Sequence, residues 1–468
     1  ELGLVCPRSR GEDVLRMSRD RWKHWLVGSL PALLATAAAA QAPSLTLREA
    51  IDRALGQNPQ VAVAKADVQA ASVGASMART ALLPRLNFTE DLSRGNDPVY
   101  VFGTKLRQQR FAQSDFSLDS LNRPTPTGNF ATRLSGEWML FNWFGTQEQI
   151  HAAKLGTASA MSMAGAVNQG VVFQVVQAYQ AVLYAQRQLE VAQHGQRTAE
   201  ALLHDAQTRV KAGLAIDSDM LGAQVNLSAR QQETIAAQGA VETAWAELEA
   251  AMGSATDAHA ELKPMEARSY PAGNLAEDVT AALKARPDLK ALAQQTAAEE
   301  QAVKAARSDF FPQLSAYGNW EMDRQTFAGD GGNNWVAGAQ LNLDILPLSK
   351  RAHLEQAKAA QQKAKAQERC QEQQIRLAVS RAFTDHRTAE QMVATARAAT
   401  DRSTESLRIL HNRYDAGLAT MTDLLRAEDA ERQSQENYWR AAYGNTVANA
   451  ELLYATGQLT PDSAENLQ

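Results

Sequence analysis

Two periodicities alternate along the chain, and each occurs twice. The first is a seven-residue repeat of apolar positions over very long stretches. Val175, Val182, Leu189, Leu203 and Val210 share one register, with Gln196 the polar exception. Val379, Val393, Leu407 and Tyr414 hold the same register later, interrupted by His386 and Thr400. That spacing predicts a coiled-coil-like seam, and it equally fits helices packed in an ordinary bundle. The second periodicity is strict alternation. In FATRLSGEWMLF, Phe130, Thr132, Leu134, Gly136, Trp138 and Leu140 point one way; Arg133, Ser135 and Glu137 point the other. Period-two patterning predicts strands, here at about 85–95, 130–143, 313–323 and 334–345. Leu314, Ala316, Trp320 and Met322 line one face of the third; Trp335, Ala337, Ala339, Leu341 and Leu343 line one face of the fourth.

Punctuation sets the lengths. No proline falls between Pro126 and Pro264, or between Pro347 and Pro461, so nothing breaks a helix there. Alanine, the best helix former, dominates the composition. A helix is predicted from about 145 to 212, broken by Gly213, and another from about 218 to 252, ended by Gly253. Leu45 to Gln57 forms a short amphipathic helix, and Pro59 opens one that Pro84 closes. Between the first two strands, the stretch holding Asn96-Asp97-Pro98 and Arg123-Pro124 reads as a long polar loop. The 146–212 helix would be about 100 Å long, too long for a compact globular domain. The helices at 59–83 and 215–252 together make about 95 Å, so they can stack end to end against it. The expected object is a rod of helix pairs with a small strand region at one end.

The unit is duplicated. Asn58-Pro59 and Leu83-Pro84 recur as Arg286-Pro287 and Phe311-Pro312, 228 residues on (287 − 59). Lys211-Ala212-Gly213-Leu214 recurs as Asp415-Ala416-Gly417-Leu418, 204 residues on (417 − 213). Two copies are too few for a solenoid, so this is a duplicated fold. The expected organisation is an upstream segment and signal over 1–42, a first repeat over 43–260 and a second over 261–468. Residues 1–16 read as upstream translated sequence or as an artificial extension. From Met17, basic Arg19, Arg21 and Lys23 precede the apolar run WLVGSLPALLATAAAA, predicting an export signal cut after Ala40 or Ala42. No later segment has the continuous apolar length of a membrane helix.

Each strand has about the length that a tilted transmembrane strand needs. A sheet edge exposed to lipid is not tolerated, so such a sheet must close, and four strands are too few. Two chains would supply eight strands and three would supply twelve. A soluble four-stranded sheet capping the rod is the alternative that the residues leave open.

Chemistry is sparse. The net charge of −5 argues against a nucleic-acid partner. Cys6 and Cys370 can build neither a disulfide framework nor a cysteine zinc site. The eight histidines contain no His-Glu-x-x-His pattern, and His194 and His204 read as surface residues. Met161 and Met163 do not share a helix face and read as packing residues. No glycine precedes a lysine, which excludes a Walker A loop. Neither an enzyme nor a cofactor is expected, and a heavy-metal chaperone would need clusters of His, Met or Cys that the chain lacks.

Taken together, the export signal, the duplicated unit with two strands, the Pro59/Pro84 and Pro287/Pro312 pairs, the loop text PVYVFGTKL and the helix turns KAGLAIDSDML and DAGLATMTDLL resemble the TolC-like outer membrane factors. The resemblance covers residues 45 to about 460. It implies a mainly α fold with transmembrane β-strands. Long antiparallel coiled-coil helices would form a periplasmic α-barrel, and four strands per chain would join a β-barrel shared by a homotrimer in the outer membrane. The function implied is the exit duct of a tripartite efflux pump or type I secretion system. Its partners would be a periplasmic adaptor (a membrane fusion protein), an inner-membrane RND or ABC transporter, and outer-membrane lipid. At the periplasmic tip the resemblance implies adaptor contact at Gly213, Leu214, Gly417 and Leu418. It also implies a pore gate of Asp219, Asp423, Tyr414 and Arg426. Two positions depart from the family pattern: the gate arginine corresponds to Ala419, and a second pore aspartate to Arg426. An acid in the first helical turn also offsets the helix dipole, so capping and pore roles stay open for both aspartates. The rival from another class is a periplasmic coiled-coil adaptor or scaffold without a pore, which would have no use for alternating strands.

Overall fold

The computed structural model describes residues 44–254, 261–264 and 273–465; the export signal lies outside the described residues. The first repeat runs β1 (Ser44–Leu45), α1 (Leu47–Gln57), α2 (Pro59–Thr80), β2 (Arg85–Gly95), α3 (Pro98–Arg107), α4 (Leu118–Asn122), β3 (Thr127–Phe141), α5 (Gly145–Lys211) and α6 (Asp217–Met252). The second runs β4 (Glu261–Leu262), α7 (Leu275–Ala285), α8 (Pro287–Ser308), β5 (Gln313–Arg324), β6 (Gly331–Asn342), α9 (Leu348–Asp415) and α10 (Met421–Ala455), with α11 (Pro461–Glu465) after it. The long helices have 67 and 68 residues, about 100 Å each, as the proline-free spans predict.

In the first repeat, α2 and α6 both pack along α5; in the second, α8 and α10 both pack along α9. The end of α6 meets the start of α2, where Asn58 caps α2 and its Nδ2 donates to the Ala251 carbonyl at 2.7 Å. In the second repeat Arg286 takes that place, its Nη1 donating to the Ala455 carbonyl at 3.2 Å. The same junction thus survives with different chemistry. The repeats are joined where α5 packs on α8: Ser159 Oγ donates to the Ala291 carbonyl, and Ser162 Oγ to Gln294 Oε1, both at 2.8 Å.

The core lies halfway along the rod. Leu47, Ile51, Val175, Tyr179, Trp245, Leu248 and Met252 are sealed there, each worth about 1.5–3 kcal/mol of apolar burial. The Tyr179 hydroxyl sits 2.9 Å from the Leu45 carbonyl oxygen and 2.8 Å from that of Lys263, fastening the parallel β1–β4 pair to α5.

Three readings need correction. The expected seam holds at Val175 and Val182, but nearer the tip Leu189, Leu203 and Val210 are only half-buried. There the buried line is Ala185, Ala192, Ala199 and Ala206, offset by three residues. Alanines let helix backbones approach closely, so the small side chains take the seam and the larger ones flank it. Met161 and Met163 are exposed in the chain rather than packed. The stretch read as a polar loop contains α3, capped by Asp97 accepting from the Tyr100 N–H at 2.8 Å, with Pro98 in the first turn.

Candidate functional site

The four long strands form one antiparallel sheet in the order β2-β3-β5-β6. Its outer strands β2 and β6 have no partner on their far edges among the described residues. The register carries one side chain from each strand into a single row, Phe88–Leu134–Trp320–Trp335. All four lie on the same face. Phe88 is 67% exposed and Trp335 78%. Leu86, Ala316, Ala337, Ala339 and Leu341 extend that face by the two-residue period. A bulge between Met139 and Phe141 puts Phe141, not Leu140, opposite Leu314. Leu343 lies beyond the end of β6.

The opposite face is polar. Arg133 Nη2 lies 3.2 Å from Glu321 Oε2, and Asn129 Nδ2 donates to Asp323 Oδ1 at 2.6 Å. One polar knot interrupts the apolar face: Arg324 Nη2 reaches Glu90 Oε1 at 3.3 Å beside Thr132. Each charge there neutralises the other. At the helix end of the sheet, Trp138 Nε1 donates to the Leu82 carbonyl at 2.8 Å and Trp143 Nε1 to that of Pro312 at 2.9 Å. Phe141 and Phe311 pack against Trp143, and Phe144 packs edge-on against Phe141. Aromatic rings with one polar tip are what a membrane–water boundary selects. No helix among the described residues is long and apolar enough to cross a membrane.

At the other end of the rod, α5 and α9 stop on the same motif. The Leu214 N–H donates to the Arg209 carbonyl and that of Gly213 to Val210; Leu418 and Gly417 repeat both bonds to Arg413 and Tyr414. This pair of bonds needs a left-handed residue, and Gly213 (φ 73°) and Gly417 (φ 69°) supply it. The following leucines project into solvent, Leu214 79% and Leu418 70% exposed.

The repeat-equivalent acids just beyond are unlike. Thr420 and Asp423 cap α10 reciprocally: each backbone N–H donates to the other side chain, and Thr420 Oγ1 lies 2.7 Å from Asp423 Oδ2. These bonds hold the Asp423 carboxyl below its ordinary range, helped by Arg426 and Arg413. Asp219 sits at the same position of α6, but its cap is Ile216, which has no side-chain acceptor. Arg413, Asp423 and Arg426 line one open groove together with Leu418 and Ala419.

Tyr414 faces away from solvent, packed with Leu202, Ala206, Ala223, Met421 and Leu424. Burial pushes its hydroxyl pKa up. Ala419 packs against this cluster. The structure adds residues that periodicity did not single out. The Arg209 guanidinium lies 4.6 Å from the Tyr414 ring centroid and bonds Asp205 at 2.7 Å on its own helix and Asp415 at 3.2 Å on α9. Closer to the middle, Arg230 on α6 pairs with Glu233 at 2.6 Å and with Asp429 on α10 at 2.9 Å, and Arg432 lies 3.8 Å from both acids. These ion pairs tie the first helical hairpin to the second. The one signal for them in the sequence was charge spacing on helices already full of charges. His194 and His204 are exposed. No group of three metal-ligating side chains occurs among the described residues.

A sheet with one apolar exposed face and a polar other face, mounted on helical hairpins about 100 Å long, defines a subunit of an outer-membrane channel that reaches into the periplasm. The chain matches the family model described as outer membrane efflux protein over residues 50–254 and 279–458, and it belongs to that family. It is 27% identical over 423 residues to the protein CyaE of Bordetella pertussis, covering 89% of this chain and 84% of that one. It is 24% identical to the outer membrane efflux protein BepC of Brucella suis, covering 93% and 91%. The fold superposes on the crystal structure of the Campylobacter jejuni CmeC outer membrane channel with a TM-score of 0.76 at 17% identity, over 89% and 88% of the two chains. The protein is a channel and not an enzyme: the outer-membrane exit duct of an efflux or type I secretion assembly. The pore-less scaffold is thereby set aside.

Proposed function

We propose that three copies of this chain close one twelve-stranded barrel in the outer membrane and one hollow helical tube below it. The observation that carries this reading is the four-stranded sheet with both edges unpaired and an apolar row across one face. Open edges are costly in lipid, and only closure with other copies pairs them. The two repeats, 43–260 and 261–468, then supply alternate hairpins around the tube. The apolar face meets lipid and the polar face lines the lumen.

At the tip, the protruding Leu214 and Leu418, set by Gly213 and Gly417, form the contact for a periplasmic adaptor. Asp219 and Asp423 ring the opening. Like charges in a constriction attract cations and repel anions. Arg426 shares the Asp423 groove and offsets part of that field. Tyr414 and Arg209 hold the two hairpins together at rest. An inner-membrane transporter of the RND or ABC class supplies energy, and no nucleic acid takes part. Mass measurement in detergent, on protein extracted from outer membranes, tests the assembly. A trimer is expected; a monomer in the soluble periplasmic fraction refutes it.

A further inference from the structure

The segment between β2 and β3 folds back over the sheet, and every anchor it makes falls on one side. Gln108, 2% exposed, donates from Nε2 to the Gly128 carbonyl and Asn129 Oδ1 at 2.9 Å, and to the Arg324 carbonyl at 3.2 Å. Tyr100 bonds Ser93 Oγ at 3.0 Å. Arg107 lies 3.6 Å from Glu321, and its carbonyl accepts from Asn334 Nδ2 at 3.3 Å. A Cβ on Gly332 would fall 1.7 Å from that carbonyl oxygen, so only glycine admits this approach. By the strand register Ser93, Asn129, Glu321, Gly332 and Asn334 share the polar face, opposite the Phe88–Leu134–Trp320–Trp335 row. The segment is therefore pinned inside the barrel at its outer mouth.

What it turns to the interior is apolar. Val101, Thr104 and Gln108 form the buried stripe of α3. On its other side Val99, Phe102 and Leu106 are exposed, Val99 at 80%. Phe102, Phe111 and Phe116 continue this surface as edge-to-face rings, centroids 4.8 and 5.1 Å apart. Twelve strands about 4.8 Å apart and tilted about 40° give a perimeter of roughly 75 Å and a wall about 12 Å from the axis. A helix with its side chains is about 10 Å across. Three such helices on the inside of that wall bring their inner edges to about 2 Å from the axis and leave only a narrow opening at their level.

We infer that the mouth of the duct carries its own gate: three copies of the β2–β3 segment meet on the axis and seal the exit through Val99, Phe102 and Leu106. The occupant of each apolar stripe is the same segment of the neighbouring copies. The inference rests on the shared barrel proposed above. An apolar constriction bars water and ions by dewetting, so this gate is uncharged at its centre, unlike the acidic periplasmic tip. The cargo must part it from within.

The test uses whole cells carrying the full chain with Cys370→Ser and a reporter Ser135→Cys, which the register places on the lumen face. A maleimide too large to pass a closed mouth is added outside. Labelling should be slow with the native segment. It should rise at least tenfold when Val99, Phe102 and Leu106 are replaced by Asp, or when Gln108→Ala releases the anchor. Equal rates in assembled trimers overturn the gate. Val99→Cys in the same background needs no disruptive change: mild oxidation should join neighbouring protomers as dimers. A monomer band from an intact trimer also overturns the gate. If the parent chain is not a trimer on the same gel, the barrel reading itself has failed.

Discussion

Replacing Leu134 with Arg probes the lipid face directly. Leu134 is the eighth of the fifteen residues of β3. A strand tilted about 40° climbs roughly 2.5 Å per residue along the membrane normal. Leu134 therefore lies about 10 Å from Trp138 at the inner boundary and about 5 Å from the Glu90–Arg324–Thr132 knot toward the outside. An outward arginine costs about 2–4 kcal/mol at the midplane and about 0–1 near the interfaces. The new side chain can stretch toward the knot, but Glu90 is already committed to Arg324. The lower part of the midplane range applies, about 2 kcal/mol per chain and roughly 6 per trimer. Ser135→Arg is the control. One residue along a strand reverses the face, so that arginine enters the lumen at little cost. The assay is the temperature at which detergent-solubilised trimers dissociate on semi-native gels, together with yield in the outer-membrane fraction. Leu134→Arg should lower both, and Ser135→Arg neither. Equal effects, or the reverse order, would refute the assignment of faces and with it the barrel.

Two further outcomes are expected at the helical end. In planar bilayers Asp219→Ala should weaken cation selectivity and raise conductance more than Asp423→Ala, whose main effect should be a lower melting temperature from the lost α10 cap; equal currents from both would show that capping does not distinguish them. Glu428, pushed up to about 7 by burial beside Asp429, binds its proton more tightly folded than unfolded. Its contribution is therefore fully present below about pH 4.5 and lost as pH rises through about 7. Glu428→Gln should raise the melting temperature near pH 8 and change it little near pH 5, and a shift of the same size at both would count against the buried carboxyl.

Element type and length were legible because they depend on strong, local signals. The proline-free span and the break at Gly213 set α5 to within a residue or two, and alternation located all four long strands. What was not legible depended on partners. Helix α3 carries a cap at Asp97 and a proline at Pro98, but its inner stripe Val101–Thr104–Gln108 is only partly apolar. Such a stripe pays off only over a polar sheet face, which a single strand does not reveal. The bulge at the end of β3 shifts Phe141 to the face that parity gave to Leu140, because backbone register belongs to the β3–β5 pair. The alanine seam near the tip was hidden for the opposite reason: alanine is so common here that no one register of it stands out. The tip aspartates were found by resemblance; the ion pairs of Arg209 and Arg230 became visible only once two helices were side by side.

The duplication explains why the two hairpins share a backbone and differ in their side chains. Backbone features are copied: the turn at Gly213 returns at Gly417, the helix-end junction at Asn58 returns at Arg286, and the glycines ending each short helix, Gly253 and Gly457, both sit at φ 73°. Side chains at equivalent places are free to differ, and they differ most at the tip. Ile216 stands where Thr420 stands in the second copy, so Asp423 is held in its helix cap while Asp219 has no such cap. Six carboxylates around the trimer axis would then alternate between restrained and unrestrained. The second hairpin also carries Arg426 and Arg413 in the Asp423 groove, so its acid is the more neutralised of the two. A ring built this way takes its field mainly from Asp219 on the first hairpin. The ion pairs of Arg209 and Arg230 tie that hairpin to its neighbour. If the proposed ring opens, it must break contacts between unlike hairpins inside one chain, a barrier set by residues of this sequence alone.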